Sequence, residues 1–181
     1  YWNDTPLIQY IIIVFMFLAG TNFVMSYFAF TGKVQRILRD EEFRVYGIFI
    51  FSFTLISALI VYFQANVRVS EYHPMVLGMG ESAFRHALFQ VMAIVTTTGF
   101  VTADFTNWTP FLTVFFFGLM FLGGCAGSTS GGIKVMRHLL IIKNGLLEFK
   151  RTLHSNAIIP VRFNNKVVSE HIVYNVIGFF V

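Results

Sequence analysis

Apolar positions along the chain come in long runs broken by short polar blocks. Residues 7–30 form the first run, about 36 Å as helix, enough to span a bilayer with some tilt. A charged block follows, GKVQRILRDEEFR over residues 32–44, and then residues 45–63 make a second run of roughly 28 Å. Each reads as a transmembrane helix. Residues 64–80 are mixed, with Arg68, Glu71, His73 and Pro74, and lead to a short helix predicted over residues 81–95, with Glu81 or Ser82 as its cap. That helix reaches only about 22 Å, less than the hydrocarbon core. Residues 111–122 are again apolar and again too short to cross before the stretch GGCAGSTSGG. Two partial crossings therefore flank TTTGF, residues 96–100.

Composition agrees with a membrane protein: 56% of residues are apolar, 18% aromatic and 12% charged, against about 25% charged in soluble domains. The charges are unevenly placed. Lys33, Arg36, Arg39 and Arg44 fall in the first polar block, and Lys134, Arg137, Lys143, Lys150, Arg151, Arg162 and Lys166 in the last, while only Arg68 and Arg85 lie between. The positive-inside rule puts both basic regions in the cytoplasm, so TTTGF enters from and returns to the outer face. Trp2 and Trp108, beside Asp4 and Asn107, fit outer interfacial anchors. The chain opens on YWNDTP and closes on VYNVIGFFV within a hydrophobic segment, which predicts a piece of a longer polypeptide. No small-residue cleavage site follows the first run, which speaks against a signal peptide. The lone Cys125 excludes an internal disulfide framework and reads as a thiol packed among small residues.

An internal repeat organises these pieces. TPLIQYIIIVFMFLAG (residues 5–20) aligns without gaps on TPFLTVFFFGLMFLGG (residues 109–124), and EFRVYGIFIFSF, from Glu42, on EHIVYNVIGFFV, from Glu170. The predicted fold is an all-α membrane protein of repeated units, potassium-channel-like, each with an outer helix, a re-entrant pore helix with a filter loop, and a broken inner helix. Residues 1–44 then hold one inner helix and a cytoplasmic linker, 45–152 a complete repeat, and 153–181 a linker and the next outer helix.

Extended backbone at membrane depth is tolerated where it lines a wet cavity or is buried in protein, and carbonyls turned toward an axis replace the water shell of a dehydrating cation. Gly99 frees the backbone for angles closed to other residues, the Thr hydroxyls add oxygens, and the preceding helix directs the negative end of its dipole to the same place. Oxygen ligands without fixed charge suit potassium better than a divalent ion. A plain re-entrant loop, with the threonines satisfying their own backbone, is the bland alternative.

The stretch over residues 123–132 has five glycines and three hydroxyl side chains, each glycine lowering helix stability by about 1 kcal/mol relative to alanine. It is predicted to be non-helical and to lie just inside the filter, where it obstructs the ion path. Close helix packing through small residues is the alternative. A phosphate loop requires Gly-Lys-Ser or Gly-Lys-Thr after its glycines, and GGIK places Lys134 in another order. GGCAG fits a nucleophile elbow at Cys125, but that turn needs a preceding strand and a His partner, and His138 falls on the basic surface.

A re-entrant helix ending in TTTGF and an inner helix broken at GGCAGSTSGGIKVMR, within a repeated unit, resemble the TrkH/KtrB family of bacterial potassium uptake proteins over essentially the whole chain. The resemblance implies four such repeats around one pore, with this chain covering the end of the second, all of the third and the start of the fourth. It implies a potassium filter formed by the backbones of Thr97, Thr98, Gly99 and Phe100, with Thr96 just before them and potassium held at Thr97, Thr98 and Gly99. Val101 departs from the potassium-channel signature, which has a second glycine there. It further implies a gating loop containing Gly123, Gly124, Gly127, Ser128, Thr129, Ser130, Gly131 and Gly132. The implied location is the bacterial cell inner membrane, multi-pass, with membrane lipid around it, a homodimeric full-length protein and a cytoplasmic TrkA/KtrA-type nucleotide-binding regulator. The expected substrate is potassium, with no cofactor in this chain, no nucleic acid and no enzymatic step. A sodium- or proton-coupled symporter is the rival, favoured by a carboxylate inside a span. The basic stretch over residues 134–166 is read as a topology signal that also suits anionic lipid. Asn22, Ser26 and Thr54 are read as helix–helix hydrogen bonds, and Arg85 and His86 as supports behind the filter.

Overall fold

The computed structural model describes residues 5–63, 78–153 and 160–180; Trp2, Asp4, Arg68, Glu71, His73 and Pro74, named above, lie outside them. Helix α1 (Pro6–Gly20) opens on Thr5 and Pro6 as α6 (Pro110–Leu119) opens on Thr109 and Pro110. Proline suits the first helical position, where its missing N–H has no partner to lose. Thr109 adds a cap, its Oγ1 accepting from Leu112 N at 3.2 Å.

The first predicted span is not one helix. α1 and α2 (Phe23–Phe30) meet at 119°. The donors that would continue the helix have been displaced: Cys125 N donates to the Gly20 carbonyl at 2.9 Å, and Thr129 Oγ1 donates to the Ala19 carbonyl at 3.1 Å. Asn22 Oδ1 accepts from Val24 N at 2.8 Å and starts α2 in a new direction.

Helix α3 (Val34–Arg39) lies within the charged block, and α4 (Glu41–Phe63) starts four residues before the predicted 45 because Asp40 Oδ1 accepts from Phe43 N at 2.9 Å. Among the described residues α4 alone is long and apolar enough to cross a membrane unbroken. Helix α5 (Met79–Val95) begins after Gly78, not at the predicted Glu81 or Ser82 cap; Ser82 is buried inside the helix and Glu81 pairs with Arg85. At 17 residues it is about 25 Å long, still short of a crossing.

Helices α1, α4 and α6 pack around α5. Most of α5 is buried, with Phe89 and Val91 at its centre and Leu112 and Phe116 of α6 closing the core. A helix buried all round is the pattern of a central element. Leu7, Ile11, Phe15, Phe51, Leu55, Val114 and Phe117 face outward, apolar surface of the extent that marks a lipid or partner contact.

After α6 the chain is irregular to α7 (Val135–Leu153), as predicted for residues 123–132. An all-helical reading missed a small hairpin, β1 (Arg162–Phe163) and β2 (Lys166–Val167), which precedes α8 (Glu170–Phe180). Asn164 and Asn165 turn it with φ of 48° and 62°, the two positive angles that a tight hairpin turn requires. The turn docks on α4: Asn164 Oδ1 accepts from Glu41 N at 2.9 Å and its Nδ2 donates to Asp40 Oδ2 at 2.7 Å.

Candidate functional site

Helix α5 ends in a Schellman motif, with Thr97 N donating to the Ile94 carbonyl at 3.0 Å and Thr98 N to the Ala93 carbonyl at 3.0 Å. The residue that must turn left-handed in this motif is ordinarily glycine; here it is Thr97, at φ 54°. For a β-branched residue that conformation costs roughly 1–2 kcal/mol. The chain then leaves the helix without regular structure, and Gly99 takes φ 76° with open space where a side chain would stand.

The threonines divide their hydrogen bonds. Thr96 Oγ1 is buried and donates to the Met92 carbonyl at 2.7 Å, so in the 2.7 Å contact between Thr96 and Thr98 hydroxyls the Thr98 hydroxyl is the donor. Thr97, Thr98, Gly99 and Phe100 are exposed. A groove of about 320 Å³ opens beside them, lined in part by Gln90, Ala93, Ile94, Thr97, Gly99 and Met120. The C-terminal end of α5 brings partial negative charge there.

Two side chains brace α5. His86 Nδ1 and Thr102 Oγ1 lie 3.0 Å apart, both buried, joining the helix to the limb that leaves the TTTGF stretch. Arg85 pairs with Glu81 at 2.8 Å and also donates to Gln9 Oε1 of α1, and the Tyr10 hydroxyl donates to Glu81 Oε1 at 3.0 Å. Beyond them Asp104 caps the following turn. Its carboxyl is held below the usual carboxylate range by the Thr106 hydroxyl and then by the Thr106 N–H.

Residues 123–132 form a compact loop closed at its neck. Gly123 N donates to the Ile133 carbonyl at 2.9 Å, and Val135 N to the Gly124 carbonyl at 3.1 Å. Inside it, Ser130 Oγ accepts from Gly124 N at 2.8 Å. Gly127 turns the loop at φ 73° against Asn22, whose Nδ2 donates to the Ala126 carbonyl at 2.7 Å.

The loop is held by charges of both signs. Glu42, buried in the first turn of α4, accepts on Oε1 from Ala126 N at 2.6 Å and Met136 N at 3.2 Å. Lys134 was assigned above to a basic cytoplasmic surface, yet its Nζ turns into the loop and donates to the Ser130 carbonyl and, at 3.4 Å, to the Ser128 carbonyl. One further bond crosses to the other candidate element: Gly131 N donates to Thr97 Oγ1 at 2.8 Å.

The predicted residues thus come together, with differences. Asn22 serves the break and the loop, not a helix–helix bond; Ser26 contacts Thr21 locally at 3.1 Å; Thr54 is buried with no hydrogen-bond partner among the described residues. Glu42 was missed, although an acid directly ahead of a long apolar run was its signal. Cys125 is buried, as predicted. Among the described residues no three His, Cys, Asp or Glu side chains could hold a metal ion.

Comparison with known proteins agrees over the full chain. The family model described as TrkH, cation transport protein, matches residues 1–181. The Trk system potassium uptake protein TrkH of Escherichia coli (strain K12) is 36% identical over 178 residues, covering 98% of this chain and 35% of that protein. Trk system potassium uptake protein TrkG of the same strain is 30% identical over 183 residues, covering 99% and 35%. The chain therefore spans about a third of the length of these relatives. The crystal structure of the potassium transporter TrkH from Vibrio parahaemolyticus superposes with a TM-score of 0.81 at 32% identity, over 98% of this chain and 36% of that one. The chain belongs to the TrkH family of cation transport proteins.

Proposed function

We propose that this chain is one portion of a potassium uptake protein of the bacterial inner membrane, in which the backbone of residues 97–100 lines a cation filter and residues 123–132 gate it. The observation that carries the reading is the course of the chain after α5. A helix too short to cross ends in a left-handed Thr97, and an exposed stretch without regular structure, with Gly99 at φ 76°, follows at the negative helix end. Such backbone offers oxygens to a dehydrated monovalent cation. The names of the similar proteins, potassium uptake protein and potassium transporter, support the choice of ion.

A filter of this kind takes about four such strands, so the remaining repeats belong to the full-length protein. That protein acts as a homodimer in lipid, with a cytoplasmic TrkA/KtrA-type nucleotide-binding subunit on the basic side. A coupled symporter asks for a carboxylate in the ion path. Glu42 is committed to Ala126 N and Met136 N, which favours the conducting reading.

The test is growth of a potassium-uptake-deficient cell on low potassium with full-length protein carrying Gly99→Ser. Wild-type protein restores growth; the variant, present in the membrane at equal amount, raises the potassium requirement and admits more sodium. Unchanged growth and unchanged ion preference overturn the filter.

A further inference from the structure

Resting on that reading of filter and gate, we propose that the closed gate caps the filter chemically as well as sterically, the Gly131 N–H occupying the Thr97 hydroxyl oxygen that otherwise serves as the innermost ligand of a cation.

The three threonines are not equivalent. Thr96 and Thr98 are bonded to each other and back to the Met92 carbonyl of α5, so their hydroxyls serve the helix end. Thr97 alone sends its hydroxyl to the loop, accepting from Gly131 N at 2.8 Å. Its left-handed backbone, φ 54°, sets it apart from its neighbours. The site is exposed on both sides, at Thr97 and at Gly131, so no surrounding core forces the two together. The loop's other anchors, Glu42, Asn22 and the Ala19 and Gly20 carbonyls, belong to the scaffold.

An amide hydrogen and an alkali cation make the same demand on a hydroxyl oxygen: each brings positive charge to its lone pairs. With the loop compact, the Thr97 oxygen is polarised toward Gly131 and is a poorer cation ligand. With the loop withdrawn, the oxygen is free. Because coupling between two equilibria is reciprocal, a cation seated at Thr97 also loosens the loop. Gate position and innermost-site occupancy then form one equilibrium, and the gate responds to the ion it controls.

The experiment uses the full-length protein in proteoliposomes, with potassium or rubidium flux, KM for potassium and the potassium-to-sodium flux ratio as readouts. Thr97→Val removes the oxygen at nearly constant shape; Gly131→Pro removes the N–H, changes no atom of Thr97 and sets its ring against that side chain, so it opens the loop by bulk as well. Both weaken the latch: basal flux rises about five-fold in Thr97→Val, the factor that one ordinary hydrogen bond represents, and at least as much in Gly131→Pro. Thr97→Val also raises KM, Gly131→Pro does not, and Thr97→Ser returns both readouts toward the parent. Gel filtration checks folding; Thr97→Ala replaces Thr97→Val where that variant fails to elute as the parent does, and Gly131→Ala, which keeps its N–H, is the control for added bulk at position 131. Flux at or below the parent in Thr97→Val overturns the latch, even where KM shifts and the filter reading stands. A rise in flux with unchanged KM and ion ratio in Thr97→Val overturns the competition, while the backbone filter stands or falls by Gly99→Ser.

Discussion

Gly20, the last residue of α1, and Gly124, in the irregular stretch beyond the Leu119 end of α6, close the two matched segments and lie against each other. A Cβ on Gly124 would stand 2.5 Å from the Gly20 carbonyl oxygen and 2.5 Å from Ser130 Oγ. Backbone cannot yield as a flexible side chain does, so Gly124→Ala destabilises the full-length protein by about 1–3 kcal/mol. Gly118, in the last turn of α6 with nothing within 4 Å of its Cβ position, behaves oppositely: Gly118→Ala gains up to about 1 kcal/mol of helix propensity. Thermal unfolding in detergent separates them, and equal effects of the two substitutions would contradict this packing.

The same pair shows which features the sequence could and could not reveal. The short helix α5, the end of that helix at the threonines and the non-helical loop were legible because length, glycine content and apolar runs are local quantities. Even Gly99 announced its positive φ. The break at Gly20 was not legible, since one glycine in an apolar run weakens a helix only slightly; what breaks it is Cys125 N and Thr129 Oγ1 taking the Gly20 and Ala19 carbonyls from more than 100 residues away. Thr97 was hidden for the opposite reason: local preference argues against a left-handed threonine, and only the Schellman bonds impose it. The Asn164-Asn165 turn was a readable local signal passed over in favour of an all-helical pattern.

Arg85 joins α5 to α1 through Glu81 and Gln9, and it is 4% exposed. Arg85→Met keeps the bulk but leaves the Glu81 carboxylate and the Gln9 carbonyl short of a charged donor, a loss of about 2–3 kcal/mol. Arg85→Lys recovers less than half of it, because one ammonium cannot reproduce the guanidinium's spread of donors. Melting temperatures of the three proteins in one detergent decide the matter; full recovery with lysine would show that charge alone suffices.

Thr102 braces the outgoing limb of the TTTGF stretch through His86. Thr102→Val keeps the shape and removes the hydroxyl, leaving a buried ring nitrogen without that partner at about 1–3 kcal/mol, while Thr102→Ser retains the bond. The limb loosens in the valine variant, so hydrogen exchange at residues 98–102 accelerates there and stays near the parent rate with serine. Equal exchange in the two variants would remove His86 from any positioning role.

Glu42 fixes the loop by accepting Ala126 N and Met136 N on one buried oxygen. Glu42→Ala leaves both donors unpaired in the compact loop, whereas in an open loop water satisfies them. The compact state therefore loses about 2 kcal/mol, roughly thirty-fold in the ratio of compact to open. Cys125 reports that ratio directly: it adjoins Ala126, is 2% exposed in the compact loop and carries a thiol. In full-length protein where Cys125 is the only cysteine, a membrane-permeant maleimide labels the parent slowly and Glu42→Ala up to thirty-fold faster. Glu42→Gln, which keeps an oxygen acceptor in the same place, labels at an intermediate rate. Parent-like labelling of the alanine variant, in protein that still elutes as the parent does, would mean that Lys134, Asn22 and the Gly20 carbonyl hold the loop without the carboxylate.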